Sequence, residues 1–376
     1  MIIILFLCLF AVRKSRHTTD WSLVRISFRE TQLQNKYTYN EEAGEDVIAY
    51  VLDTGINITG ESSENLINGV DFTGTDFADN VGHGSIISGI IKDVAPNVEI
   101  ISVKVYDPKM RKLSLSLNLF NGINWAVNDA LEKGNRAVIN ISCGFYVHQE
   151  NSFTQKIHKA IEKAKEHGIE VVVSAGNYNM DVMYERLSNN KDVITVGAVT
   201  TKNTIESNSN YGSGIDIFAP GQNIRATCSG TQTLLCDGTS YAAAYVTGVA
   251  VLFASLGIID LKQTIIDTAT LDAMRFTNGS PNRILYNKLE YDFKNGRSRA
   301  FKQNMPKVAL NPYLRNTPLS LHALSSVDAI STTSPIATTR QPIVNRRIKT
   351  LPRNKVSVSA TRATVSSMSF KPFAIV

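Results

Sequence analysis

Between Trp21 and Leu289, short runs of apolar, largely β-branched residues alternate with longer stretches in which apolar positions recur every three to four residues. Runs that are short and nearly all apolar fit strands buried on both faces. The pattern predicts strands at Val47–Leu52, Val98–Val105, Ala137–Ser142, Ile169–Ser174 and Val193–Val199. It predicts helices at Leu115–Leu131 and Phe153–His167, the latter with Ile157, Ala160, Ile161 and Ala164 along one face. The stretch Tyr241–Leu256 is small and apolar all round, which predicts a helix buried in the middle of the domain. Strands alternating with helices in this way predict an α/β fold, a parallel sheet covered on both faces. No internal repeat is visible.

The two ends depart from this pattern. The opening MIIILFLCLFAV is purely apolar and is followed by Arg13, Lys14 and Arg16. It is too short to span a bilayer as a helix and long enough for the core of a signal peptide, so residues 1–20 are expected to be a secretion signal or a short anchor. After Tyr291 the chain turns to Ser, Thr, Pro, Lys and Arg without sustained periodicity. Such a stretch buries too little apolar surface to offset chain entropy, and residues 291–376 are expected to be a disordered basic tail.

Composition changes the picture in two places. With 376 residues and 43% hydrophobic content the chain supplies a real core, which excludes wholesale disorder and small stapled scaffolds. The net charge of +6 belongs to the tail, where 14 Lys/Arg face 2 Asp/Glu, leaving 25 against 31 in residues 1–290. Dispersed charge without interleaved aromatic residues is not a specific nucleic-acid signal, so no specific nucleic-acid partner is expected. Cys8, Cys143, Cys228 and Cys236 contain no CxxC pair and do not suggest structural zinc.

Four loops carry chemistry. Asp53 ends the apolar run VIAYVLDTG; no second DTG or DSG follows, as a single-chain aspartic protease would require. His83 lies between two glycines in VGHGSIISG, ahead of a helix-like run, where the glycines let backbone pass closely beneath an imidazole. Ser240, in DGTSYAAAYVTG, falls in the first turn of the buried helix, where free N–H groups and the helix dipole stabilise a developing negative charge. Asn177 ends the run VVVSAGN, and its amide can donate to an oxyanion without changing charge. In an open α/β sheet, loops at the carboxyl ends of strands converge on a site. Each residue alone also suits a turn or a helix cap.

The order Asp53, His83, Asn177, Ser240 and the motifs VLDTG, GHGS, VVVSAGN and GTSYAAAYVTG resemble the subtilisin-like serine peptidases, or subtilases. WSLVRIS, YTYNEEAGEDV and SNYGSGIDIFAPG look most like the proteinase K branch. The resemblance implies a three-layer fold with a parallel sheet of about seven strands, and a monomeric serine endopeptidase acting on protein or peptide substrates. It implies Ser240 as nucleophile, His83 as general base, Asp53 as its orienting carboxylate and Asn177 as oxyanion donor. Ser142, Cys143 and Gly144, with Ala175 and Gly176, are implied to pair with an extended peptide and line its primary pocket. No cofactor is needed for the chemistry. Structural calcium is implied at the Asp216 carboxylate with the carbonyls of Lys191 and Val193.

The chain also departs from the family. Ser85 and Ile86 follow HG where Thr-His is usual, Tyr241 replaces the Met after the nucleophile, and Ala244 and Tyr245 replace Pro-His. Tyr241 is expected to press a ring behind the oxyanion site. Phe145 stands where a glycine is usual and would narrow the pocket. Lys109, Arg111 and Lys112 on the second substrate edge would favour acidic residues upstream of the scissile bond. A Cys228–Cys236 disulfide across CSGTQTLLC and two free thiols are both open alternatives. Asn57 and Asn278 are candidate glycan acceptors, whereas Asn140 falls in a core strand. A second reading stays open as well: a catalytically weak member of the fold, used for binding or surface structure, with the basic tail as its adhesive part.

Overall fold

Every strand expected from the apolar runs takes its place in one sheet. The computed structural model of the chain describes residues 13–29, 35–57, 64–110, 112–143, 152–227, 233–287, 291–292 and 297–298. The chain divides into one unit of residues 1–303 with 372–376 and a second of residues 304–371, and the second lies outside the described residues. Of the expected tail only residues 291–292 and 297–298 are described, and there Tyr291–Asp292 pairs antiparallel with Arg297–Ser298; the rest of the tail, the apolar opening, Gly144, Phe145 and Cys228 lie outside the described residues.

In chain order the elements are β1 (Arg13–His17), α1 (Trp21–Ser27), β2 (Lys36–Asn40), β3 (Val47–Asp53), β4 (Leu66–Asp71), α2 (His83–Val94), β5 (Glu99–Lys104), α3 (Lys112–Lys133), β6 (Arg136–Ile141), α4 (Ser152–Glu166) and β7 (Glu170–Ser174). They continue with β8 (Ile194–Val199), β9 (Ile217–Pro220), β10 (Ile224–Thr227), β11 (Thr233–Cys236), α5 (Thr239–Ser255), α6 (Leu261–Thr268), β12 (Thr270–Leu271) and β13 (Arg283–Ile284). Nine strands form the main sheet in the order β12-β13-β9-β8-β7-β6-β3-β5-β4. All neighbours are parallel except the β12–β13 edge. The sheet is therefore wider than the seven strands implied. Its extra edge strands are short or have mixed burial, and carry little of the apolar signal. β1 pairs with β2 in a separate antiparallel ladder, so the fold reaches into the stretch assigned to the leader.

The two faces of the sheet divide the core. Val47, Ala49 and Val51 of β3 join α2 and α5 in one cluster, whereas Ile48, Tyr50 and Leu52 join α3 and α4 in another. This alternation follows the strand's two-residue period. Burying each such side chain contributes roughly 1.5–3 kcal/mol before entropy is counted. α5 is buried over nearly its whole length, because Ala and Gly let it lie closely among α2 and the strands. Asn140 is wholly buried and donates to Thr247 Oγ1 on α5 at 2.8 Å, which leaves it no access to a glycan.

The consequence for the site is positional. The carboxyl ends of β3, β6 and β7 and the N-termini of α2 and α5 belong to one packed unit, the arrangement in which open α/β sheets build their clefts.

Candidate active site

Asp53 is the last residue of β3 and is fully buried. Its Oδ1 accepts from the Thr54 backbone N–H at 2.7 Å and lies 2.7 Å from His83 Nδ1. With the carboxylate ionised, Nδ1 carries the imidazole proton and donates, which leaves the Nε2 lone pair free to act as a base. Asp53 Oδ2 is buried and takes no hydrogen bond among the described residues, so the carboxylate's charge is weakly screened.

His83 opens α2, and its flanking glycines are both used. Gly82 caps the helix at φ +87°, in the left-handed region that favours glycine. A Cβ on Gly84 would meet the Gly55 carbonyl oxygen at 2.2 Å and Asp53 Cβ at 3.2 Å, so only glycine lets α2 approach the end of β3 this closely. For His83, burial pulls the pKa down, but the charge and hydrogen bond of Asp53 and the field of Asp79 outweigh it. The net position is above the ordinary 6.5.

Asp79 was missed by the sequence reading. Its buried carboxylate accepts from Thr54 Oγ1 at 2.8 Å, Val81 N at 3.2 Å, Gly82 N at 2.7 Å, Ser85 N at 2.8 Å and Ser85 Oγ at 2.7 Å. Thr54 Oγ1 in turn accepts from Gly84 N at 2.9 Å. One carboxylate thereby ties the exit of β3 to the first turn of α2, which are the two backbones that carry Asp53 and His83. The available signal was an acid four positions before the histidine, at the place where a helix N-terminus seeks acceptors. Asn57, the candidate glycan acceptor, also belongs here: its Nδ2 donates to the Asp79 carbonyl at 2.9 Å, and its Oδ1 accepts from Asp79 N at 3.0 Å.

Ser240 lies in the first turn of α5 and is buried. Its Oγ donates to the Ser142 carbonyl at 2.8 Å, while Ser142 Oγ donates to the Ser240 carbonyl at 3.1 Å. Among the described residues Ser240 Oγ makes no hydrogen bond to His83. Tyr241 packs its ring 5.9 Å from that of His83, at 54°, so it borders the imidazole as well as following the serine.

Asn177 is held by α5 itself. Its Oδ1 accepts from Thr239 N at 2.9 Å and Thr239 Oγ1 at 3.0 Å, which fixes the amide with its N–H group free to donate elsewhere. The turn that presents it is shaped by buried Asn210, another residue the sequence reading missed. Asn210 Nδ2 donates to the Ala175 carbonyl at 2.8 Å, and its Oδ1 accepts from Tyr178 N at 3.1 Å and Met180 N at 3.2 Å. Cys143 is buried beside Asp53, its Sγ 3.2 Å from the Leu52 carbonyl. Burial and the Asp53 charge push its pKa well up, so this thiol is an inert filler. On the second substrate edge, Lys109 is exposed, and the Arg111 and Lys112 side chains lie outside the described residues.

The profile of the Subtilase family matches residues 44–300. The chain belongs to the subtilases. It is 33% identical over 286 residues to Alkaline protease 1 of Aspergillus flavus, an alignment covering 73% of this chain and 68% of that protein. It is 35% identical over 283 residues to the Alkaline proteinase of Hapsidospora chrysogena, covering 71% and 67% respectively. The crystal structure of a cold adapted subtilisin-like serine proteinase superposes with a TM-score of 0.64 at 29% identity, covering 72% of this chain and 98% of that one. This subtilase is a serine endopeptidase, and its substrates are peptides and proteins.

The calcium expectation meets a physical obstacle. Asp216 Oδ2 and the carbonyl oxygens of Lys191 and Val193 all accept from the ammonium of Lys262, at 2.9, 3.2 and 2.6 Å. Calcium sits 2.3–2.6 Å from its oxygens, so an ion on the same three atoms would coincide with that nitrogen. The residues present do not fit the metal. Among the described residues no group of three or more His, Cys, Asp or Glu side chains could hold an ion elsewhere.

Proposed function

We propose that this subtilase cleaves extended peptides outside the cell as a monomer, with Ser240 as nucleophile, His83 as general base and then general acid, and Asp53 holding the imidazole. The observation that carries this reading is the 2.7 Å contact between His83 Nδ1 and Asp53 Oδ1 beside the α5 N-terminus that bears Ser240. On substrate binding the Ser240 hydroxyl leaves the Ser142 carbonyl and turns to His83 Nε2; such bonds commonly tighten only in the loaded site. The Asn177 amide and the Ser240 N–H, aided by the helix dipole, receive the oxyanion. Ser142 to Gly144 supply a backbone edge for the substrate, with Ala175 and Gly176 beside it, a mode that tolerates varied side chains. Support for export is the apolar opening of residues 1–12; among the described residues no helix is long and apolar enough to cross a membrane.

Labelling with a fluorophosphonate probe, alongside hydrolysis of an unstructured peptide, tests the assignment. Wild type is expected to label and cleave, and Ser240→Ala to do neither above background. Folded wild type that fails to label, or a Ser240→Ala variant that still labels, would overturn it.

A further inference from the structure

Lys262 stands in the first turn of α6, where the positive end of the helix dipole disfavours a cation. An ammonium has three donors, and all three are matched: the carbonyl oxygens of Lys191 and Val193 and the carboxylate of Asp216. Asp216 Oδ2 also accepts from Thr195 N at 2.9 Å, so the charge is compensated within the same cluster. The cluster is about one-fifth exposed, at 22% for the Lys262 side chain and 18% for that of Asp216, so water screens it only in part.

We infer that Lys262 is a tethered cation that takes the place of a structural calcium ion, pinning the 191–195 turn to α6 without metal. A divalent ion needs six to eight oxygens and is lost when chelated, whereas an ammonium needs three acceptors and travels with the chain. The pinned turn leads into β8. There Thr195 Oγ1 hydrogen-bonds the Ser188 carbonyl, and Ser188 Oγ donates to the Ser174 carbonyl at 2.9 Å, just ahead of the Ala175–Asn177 loop. The cation therefore supports the strand end that presents the oxyanion donor, and it does so whatever the calcium level.

Thermal melting of the full chain, in chelator and in millimolar calcium, tests this. Wild type is expected to melt at the same temperature in both. Lys262→Met keeps the stem but loses the charge, and is expected to melt about 3–8 °C lower in both media. Lys262→Ser opens the oxygen set, and its loss should be partly restored by calcium but not by magnesium, which demands tighter octahedral geometry. Three results would overturn the inference: a calcium-induced rise in wild type that Asp216→Asn abolishes, Lys262→Met melting at the wild-type temperature, or Lys262→Ser indifferent to calcium.

Discussion

Replacing Asp79 by Asn separates its two effects on the site, since the shape of the side chain is kept while its charge and one acceptor are lost. In the better amide orientation the oxygen stays on Thr54, Val81 and Gly82, and the NH₂ group faces the Ser85 N–H that now donates to Oδ2. That buried donor goes unpaired at a cost of about 1–3 kcal/mol, and the remaining bonds lose their charge assistance. Together these losses come to about 3–4 kcal/mol, or about 10 °C in melting temperature. Loosening the joint between the end of β3 and α2 misplaces His83 against Asp53, and kcat/KM should fall about 10–100-fold. The pH profile gives the more specific sign. As the proposed general base, His83 must be neutral to accept a proton, so activity should rise with pH through the His83 pKa, which Asp79's charge helps to raise. Removing that charge moves the acid limb to lower pH, whereas a purely structural lesion would lower the whole curve in place. Initial rates on a peptide substrate across the acid limb provide the assay. An unmoved limb, or kcat/KM within twofold of wild type, would refute the reasoning.

Further outcomes follow from single contacts. Asn177→Asp keeps an oxygen for Thr239 N and Oγ1 but turns the free donor into an anion, so melting should barely change while kcat falls by about 10²–10³, a magnitude carried over from loss of the equivalent donor in a related subtilisin. Burial pushes Glu170 up to about 7 from 4.5, against the pull of Lys262 and Lys165 and with the help of Asp260. Because the folded value is raised, its contribution is full below pH 4.5 and lost as pH rises through 7. Glu170→Gln should therefore gain about 1–2 kcal/mol at pH 8–9 and nothing near pH 4, as read from melting curves at the two pH values. Cys143 should resist alkylation at pH 8 in the folded protein and react once denatured, which peptide mass mapping would resolve from the other three cysteines.

The sequence was most legible where one residue's chemistry depends on its own neighbours. The run Val47–Leu52 became β3 with Asp53 at its end, and the small residues after Ser240 became the buried helix, because strand and helix periods are local signals. Asn210 and Lys262 were not legible, since each acts on atoms distant in sequence, and Asp79 was not because its one distant partner, Thr54, is what turns a local helix-end acceptor into a tie between β3 and α2. A short polar residue in a loop resembles any turn former, and a lysine on an eight-residue helix resembles any solvated charge until it is seen against Asp216, 46 positions away. The ammonium at the expected calcium oxygens was hidden for the same reason: the oxygens were identifiable from the motif, but the group facing them was not.

The buried α5 has a consequence for how this enzyme fails. The Ser240 hydroxyl, the nucleophile of the proposed reaction, is mounted on a helix buried over nearly its whole length rather than on a surface lid. A helix this enclosed is expected to yield with the core itself rather than to fray on warming as a peripheral segment does. Catalysis and cooperative unfolding should be lost over the same narrow interval, with little inactive but folded protein between them.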